Sequence, residues 1–395
     1  MRCRMKITIV LGAFFPVPPI MGGAVEKVWF ALAQEFARRG HEVVQVSRVV
    51  PEFPREETIA GVRHRRVPGF DTPRSLVWLK FLDLLYSIRT MSILRSRRMS
   101  ELPKADVIVT NTFWLPFLLR NSKRGRVYVH VARYPKGQTR FYGNAARLQA
   151  PSHAVARAIA DEAPKLTGKI KVIPYPAPGS TIDRPLSPTG QREKIILFVG
   201  RVHPEKGVHL LVEAFASGAR TVFAEWKLML VGPTDEKYGG GRASYLVDLR
   251  RFAANAGDKI IFRGPIFDQT ELEQTLRAAR IFVYPSLAER GESFGLAPLE
   301  AMAQGCAVFV SDLACFRDFI RDGETGFIFD HRSSHPAESL RAKIENVIVD
   351  PTLLSTVADA GYRKSAEYSL AGVADQFLED FNSLIANTDA ARTSR

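Results

Sequence analysis

The stretch KIILFVGRVHPEKG, residues 194–207, decides the architecture of this chain. Lys194–Val199 is an apolar run of strand length, Gly200 ends it, and a helical pattern covers about 206–217. Arg201 and Lys206 bracket the turn between them, and Gly200 and Gly207 free its backbone. Two cations at a strand end can grip a diphosphate, arginine as a fork and lysine as a point charge. Strand, turn and helix in that order build a parallel sheet covered by helices.

The rhythm continues on both sides. Downstream, strands are expected at Lys227–Val231, Lys259–Phe262, Ile281–Tyr284 and Ala307–Val310. Helices are expected at about 242–255, 269–279 and 297–304, then at 335–348, 351–361 and 369–387. Upstream, strands are expected at Lys6–Leu11, His41–Ser47, Val62–Val67, Asp106–Thr110, Arg126–Val131 and Lys169–Ile173. Helices there are Gly22–Arg39, closed by Gly40, then Ser75–Arg98 and Pro151–Glu162. Between the halves, PYPAPGSTIDRPLSPTGQ (174–191) has no periodicity and reads as a linker. The fold class is therefore α/β with two doubly wound, Rossmann-like domains, as the prior for 395 residues suggests. The expected division is 1–178, a linker at 179–193, a second domain at 194–365, and a C-terminal segment at 366–395. Ligands of such sheets sit outside the carboxyl ends of the strands, and two such domains imply a ligand in the cleft that they face.

Composition narrows the function. With 46% hydrophobic and 24% charged residues, this is an ordinary globular chain. Cys3, Cys306 and Cys315 form no CxxC pair and no metal spacing, which fits a reducing cytoplasm. The N-terminal MRCRMKITIVLGAFFPVPPI imitates a secretory leader, but Pro16, Pro18 and Pro19 break its apolar run, so a first strand and loop are expected instead. No segment has the ~18 apolar residues of a membrane span. Residues 1–193 carry 32 Lys and Arg against 14 Asp and Glu, a surplus of 18 within a net charge of +14 for the whole chain. That asymmetry implies an anionic partner for the first half, with solubility alone as the plainer reading. The basic clusters are Arg63, Arg65 and Arg66, then Arg95, Arg97 and Arg98, then Lys123, Arg124 and Arg126. The densely apolar helix 75–98, with Trp78 and Phe81 early and arginines at its end, is either core or a surface that lies on an anionic bilayer.

A second stretch, SLAERGESFGLAPLEAMAQG (286–305), holds Glu292 and Glu300 on either side of a glycine and a proline. Pro298 fits the first turn of a helix, so Ser293, Phe294 and Gly295 form the turn before it. Glu292 is then in the loop and Glu300 is expected in the first turn. Helix-start N–H groups favour an anion, and two carboxylates accept hydrogen bonds from hydroxyls. The implied ligand is hydroxyl-rich at both ends with an anion between them. The plainer reading leaves Glu300 on the helix dipole and Glu292 in solvent.

Taken together, FVGR (198–201), KG (206–207), LVG (230–232), FRGPI (262–266), YPS (284–286) and ESFGLAPLEAMAQG resemble the retaining, nucleotide-sugar-dependent glycosyltransferases of family 4, with the GT-B architecture. In the first half, Gly22-Gly23, RGHEV (39–43) and His130 resemble the same family more loosely. The resemblance implies that Glu292 binds donor-sugar hydroxyls with the N–H groups of Ser293, Phe294 and Gly295, and that Leu296 also touches the donor. Glu300 would bind the ribose, Arg201 and Lys206 the diphosphate, Gly264, Pro265 and Ile266 the base, and Gly22 and Gly23 the phosphates. The final helix would pack back on the first domain. His130 would lie against the donor sugar, which is the favoured reading; the plainer one is a partly buried strand histidine satisfied by backbone. No Asp-x-Asp stands in a plausible loop, so no cofactor and no metal are expected, and the two cations would do the electrostatic work. Retention would follow from a front-face substitution. Where family members often carry Asn-Gly-Val-Asp, this chain has VIPYPAP (172–178), which removes a polar contact expected on the acceptor side.

The leading function is transfer of a sugar from a nucleotide-diphosphate sugar to a glycan, lipid-linked or small-molecule acceptor, in the cytoplasm or at the inner face of the membrane. One alternative is a nucleotide-sugar epimerase on the same fold, which needs acid and base groups over one sugar carbon; only His130 offers itself. Another is a non-enzymic basic binder of membranes or nucleic acid. Nucleic acid is not an expected partner, because aromatic and basic residues do not interleave as RNA binding requires.

Overall fold

A computed structural model describes residues 4–73, 75–95, 104–119, 124–177, 187–236 and 239–393, with side chains through 386. The chain divides into two compact units, residues 1–178 with 370–395, and residues 179–369.

In the first unit, β1 (Lys6–Val10) leads through a loop to α1 (Ala24–Arg38), β2 (Glu42–Arg48), β3 (Glu56–Ile59) and β4 (Val62–Val67). Then follow α2 (Leu76–Arg95), β5 (Val107–Thr110), the single turn α3 (Leu115–Leu118), β6 (Arg126–His130), β7 (Arg147–Ala150), α4 (His153–Glu162) and β8 (Ile170–Val172). Among the described residues the sheet order is β3-β4-β2-β1-β5-β6-β7-β8, parallel except for the edge strand β3. The winding reverses between β1 and β5. The expected strands are present, but β3 and β7 were not legible, because EETI and RLQA lack apolar runs.

α1 forms because Val28, Trp29, Leu32, Ala33 and Phe36 recur at helical spacing and are all buried. Its buried stripe is covered by the last helix, which belongs to this unit. Trp29 packs at a tilt against Phe377 at 5.1 Å, Phe36 packs edge-on to Phe381 at 6.0 Å, and Arg39 donates to Asp375 at 2.6 Å. Buried Asp380 accepts from Tyr128 at 3.0 Å and from Arg147 at 2.6 Å.

α2 is built the other way round. Its buried positions include Asp83, Tyr86, Ser87 and Thr90, while Leu76, Val77, Trp78, Phe81 and Ile88 are exposed. Asp83 explains the inversion: its carboxylate accepts from the N–H groups of Phe113 and Trp114 at 3.0 and 3.1 Å. The predicted helix end at 96–98 lies outside the described residues. Among the described residues no helix is long and apolar enough to cross a membrane.

In the second unit, a short turn at Thr189–Gln191 precedes β9 (Glu193–Val199), α5 (Val208–Gly218), β10 (Lys227–Val231), α6 (Ala243–Ala253) and β11 (Ile260–Gly264). Next come α7 (Gln269–Ala278), β12 (Ala279–Tyr284), α8 (Leu296–Ala303), β13 (Ala307–Ser311), β14 (Phe327–Phe329), α9 (Pro336–Ile348) and α10 (Pro351–Ser365). The final helix, in the first unit, is α11 (Leu370–Thr393). Of the predicted linker, 179–186 lie outside the described residues. Arg192 is already buried in the second unit and donates to the Gln304 carbonyl at 2.8 Å. The sheet order β11-β10-β9-β12-β13-β14 is entirely parallel and reverses between β9 and β12. Both units are thus doubly wound α/β sheets.

Candidate active site

In an open parallel sheet the ligand crevice lies outside the carboxyl ends, where the winding reverses. In the second unit that point receives two loops, one leaving β9 at Gly200 and one leaving β12 at Pro285. They are knitted together: the Leu287 N–H donates to the Glu205 carbonyl at 2.8 Å. Gly207 has φ 64°, and a Cβ there would stand 1.9 Å from the Pro285 carbonyl oxygen, so only glycine allows this approach.

The closure brings Lys206 and Glu292 together. Lys206 Nζ donates to Glu292 Oε2 at 2.6 Å and lies 5.1 Å from the centroid of the Tyr284 ring. Ser286 Oγ donates to the same carboxylate oxygen at 3.2 Å. The side chains of Lys206 and Glu292 keep 12% and 11% of their surface, so the pair is largely desolvated yet reachable. Burial works against the Lys206 charge, but Tyr284 and Glu292 outweigh it, and its pKa stands above the usual lysine value. Burial and the Glu292 charge push the Tyr284 hydroxyl up to about 12, so it stays neutral. Arg201, in the same loop as Lys206, is far more open. Its Nη1 donates to the Gly239 carbonyl at 3.0 Å and its Nη2 lies 3.6 Å from Glu205.

Gly295, at φ 94°, precedes α8. A Cβ there would stand 2.4 Å from the Phe316 ring, which fixes how closely this helix start packs. Phe294 is buried against Phe319 and Tyr368, so its side chain is core. α8 begins at Leu296, which puts Pro298 in the first turn, as expected. Glu300 is the fifth helical residue, buried in the second turn; the expected first-turn position was one turn too early. Ser293 lies in the same loop as Glu292. Gly264 ends β11 at φ 80° and its carbonyl accepts from Gly232 at 2.9 Å. Pro265 and Ile266 follow in the loop before Asp268, which caps α7 through the Glu271 N–H at 2.8 Å.

The first-unit residues behave differently. Gly22 (φ 78°) and Gly23 (φ 100°) form the turn into α1. The Glu26 side chain folds back over it, with Oε2 2.3 Å from where a Gly23 Cβ would stand. Burial raises the Glu26 carboxyl to about 7 against the lowering pull of its own backbone N–H and Arg133. His130 ends β6 only 2% exposed. Its Nδ1 is bonded to Gln149 Oε1, and its Nε2 meets the Tyr175 hydroxyl at 3.1 Å. Gln149 in turn donates to the Ile173 carbonyl at 2.5 Å, and Trp29 packs edge-on to the ring at 5.4 Å. Burial lowers the His130 pKa to about 4, although Gln149 pulls the other way. The ring is neutral with both nitrogens engaged. Within the first unit the histidine is thus buried, with Gln149 and Tyr175 side chains as its partners.

Sequence reasoning missed Tyr284 and Ser286 as partners of the Lys206–Glu292 pair. The motif YPS contained both, but nothing local shows that β9 and β12 are neighbours. Among the basic clusters, Arg66 is consumed internally by the carbonyls of Val17 and Pro54, and Arg63 and Arg65 pair with Glu56. Arg124 donates to the Arg95 carbonyl at 2.6 Å, while Arg97, Arg98 and Lys123 lie outside the described residues.

Comparison with known proteins follows the same division. Residues 181–364 match the family of glycosyl transferases group 1, and residues 21–177 match Glycosyltransferase Family 4. A phosphatidyl-myo-inositol mannosyltransferase of Mycobacterium leprae is 31% identical over 193 residues, covering 48% of this chain and 47% of that protein. A D-inositol 3-phosphate glycosyltransferase of Acidothermus cellulolyticus is 27% identical over 275 residues, 66% of this chain and 58% of that one. The chain thus spans about half the length of the curated relatives it matches. Among solved structures, the sucrose-phosphate synthase of Thermosynechococcus elongatus superposes with a TM-score of 0.75 at 21% identity, covering 97% of this chain and all of that one (100%). Anabaena HepE in complex with UDP and glucose superposes at 0.68 and 16% identity, over 96% of this chain and 100% of that one. At these identities the structures speak for the GT-B fold alone. The two family matches together run from residue 21 to residue 364, and the chain belongs to the family 4 glycosyltransferases.

Proposed function

We propose that this chain transfers a sugar, with retention and without a metal ion, from a nucleoside-diphosphate sugar to a hydroxyl-bearing acceptor presented at an anionic membrane surface. The observation that carries the donor half is the Lys206–Glu292 pair at the winding reversal of the second unit, held by Ser286 and Tyr284. A cation and a carboxylate side by side suit a ligand that joins phosphate to sugar hydroxyls. Lys206 and Arg201 take the charge that develops on the leaving diphosphate. Ser293, Gly295 and Leu296 offer backbone N–H groups, Glu300 takes the ribose, and Gly264–Ile266 take the base through the backbone. On the same face of the sugar, the acceptor oxygen bonds to the anomeric carbon as the bond to phosphate breaks. The acceptor proton passes to the leaving phosphate oxygen.

The acceptor half rests on α2, whose outward face carries Val77, Trp78, Phe81 and Ile88. An apolar, aromatic outer face on a strongly basic half suits an anionic lipid surface. The relatives named for phosphatidyl-myo-inositol and inositol 3-phosphate point to an acceptor with a phosphorylated polyol.

A thermal-shift screen of UDP-, GDP-, ADP- and dTDP-sugars tests the donor half. A ligand at 100 times its Kd adds about 2.7 kcal/mol of apparent stability. Transfer with the best donor is expected to survive EDTA; a strict requirement for Mg²⁺ or Mn²⁺ defeats the metal-free mechanism. No stabilisation by any of the four defeats the donor assignment.

A further inference from the structure

We propose that the Lys206–Glu292 ion pair makes this site prefer a nucleoside diphosphate that still carries its sugar over the free nucleoside diphosphate. The inference rests on the donor assignment above. The pair is closed at 2.6 Å and largely withdrawn from solvent. Removing one partner of a desolvated pair is the costly event, because the other charge is left uncompensated. A free diphosphate does that: it competes for Lys206 and leaves Glu292 with the Ser286 hydroxyl at 3.2 Å. It also brings more negative charge toward the same carboxylate. A sugar-bearing ligand takes Lys206 with its phosphate and returns hydroxyl donors to Glu292, so both buried charges keep partners.

The penalty therefore falls on the reaction's product rather than on its donor. A site that contacts phosphate through Lys206 alone would hold the free diphosphate at least as well, since that ligand bears more charge. Coupling to Glu292 reverses the order and favours product release. Tyr284 strengthens the effect by holding the Lys206 ammonium in place over its ring.

The test is equilibrium binding on the full chain with three ligand pairs: UDP and UDP-glucose, GDP and GDP-mannose, ADP and ADP-glucose. For the pair that the wild type binds, the sugar-bearing member is expected to bind more tightly. Glu292→Gln removes the competing charge and is expected to tighten the free diphosphate on the order of tenfold while weakening the sugar-bearing ligand. Glu292→Ala is the second variant if the first does not fold, and it should move the two ligands in the same opposite directions. Glu300→Gln, outside the ion pair, should change both ligands by a common factor and leave their ratio alone. Free-diphosphate binding that is unchanged or weaker in a folded Glu292 variant overturns the inference and leaves the donor assignment standing. Equal binding of the two ligands by the wild type does the same. If the wild type binds no member of any pair, the donor assignment falls and this inference falls with it.

Discussion

Two clusters of ionisable side chains lie at strand ends of this protein, and they treat charge in opposite ways. At β9 and β12 of the second unit, Lys206 and Glu292 face each other as an ion pair at 2.6 Å. At β6 and β7 of the first unit, His130 is bonded to Gln149 and Tyr175, and burial holds it neutral. Nearby Glu26, raised to about 7 by burial, is also easily neutralised. The first cluster is an ion pair at the winding reversal of its sheet. The second is a buried ring with both nitrogens engaged, beside a carboxyl that burial raises and Arg133 pulls down. The difference is between charge held by an opposite charge and charge suppressed by burial.

The largest test of that contrast is turnover. Glu292→Gln keeps the size and removes the charge, and is expected to lower kcat on the order of 10²-fold or more. If turnover per folded molecule is unchanged, the charged cluster is not the reacting site. Next comes the pH dependence of the neutral cluster. The Glu26 pKa is raised on folding from 4.5 to about 7, so the folded state binds this proton more tightly than the unfolded state. Its contribution is intact below about 4.5 and is lost as pH rises through 7. Glu26→Gln should therefore gain stability relative to wild type across that window, by on the order of 3 kcal/mol at pH 8. Denaturant unfolding at pH 5 and pH 8 reads it, and a gain of equal size at both values contradicts it.

A smaller effect is expected at α2, where the first unit meets its surroundings. The double change Trp78→Asp and Phe81→Asp should weaken co-sedimentation with anionic vesicles by at least about tenfold, without touching donor binding. Wild-type binding that is equal for neutral and anionic vesicles would count against the anionic surface. The smallest effect is expected at His130. His130→Gln retains polar atoms near Gln149 and Tyr175 and should change kcat by less than about tenfold while lowering Tm. A loss of kcat as large as that for Glu292→Gln would erase the contrast and place the histidine in the reaction.

Most strands were legible because parallel strands buried on both faces read as continuous apolar runs, such as IILFV and VIVT. β7 was not, because its Arg147 and Gln149 serve Asp380 and His130 instead of packing as hydrocarbon. Glu292 and Lys206 were legible as loop residues at strand ends, since glycines and a proline mark their loops. That they touch was not legible, because 86 residues separate them and only the strand order brings them together. The dense apolar content of 75–98 was visible; the direction it faces was not. Asp83 decided that by turning inward to bind the N–H groups of Phe113 and Trp114.

The return of α11 to the first unit has a consequence for synthesis. Residues 1–178 leave the ribosome with Trp29 and Phe36 still lacking their Phe377 and Phe381 cover, and with Tyr128 and Arg147 lacking Asp380. At ordinary elongation rates the wait for α11 is roughly ten to forty seconds. During that time the nascent first unit exposes an aromatic stripe and is an expected client for chaperones. The second unit, continuous in the chain, has no such wait. A chain truncated after Ser369 should therefore yield a well-folded second unit beside a first unit that binds hydrophobic dye and is cleaved readily by protease.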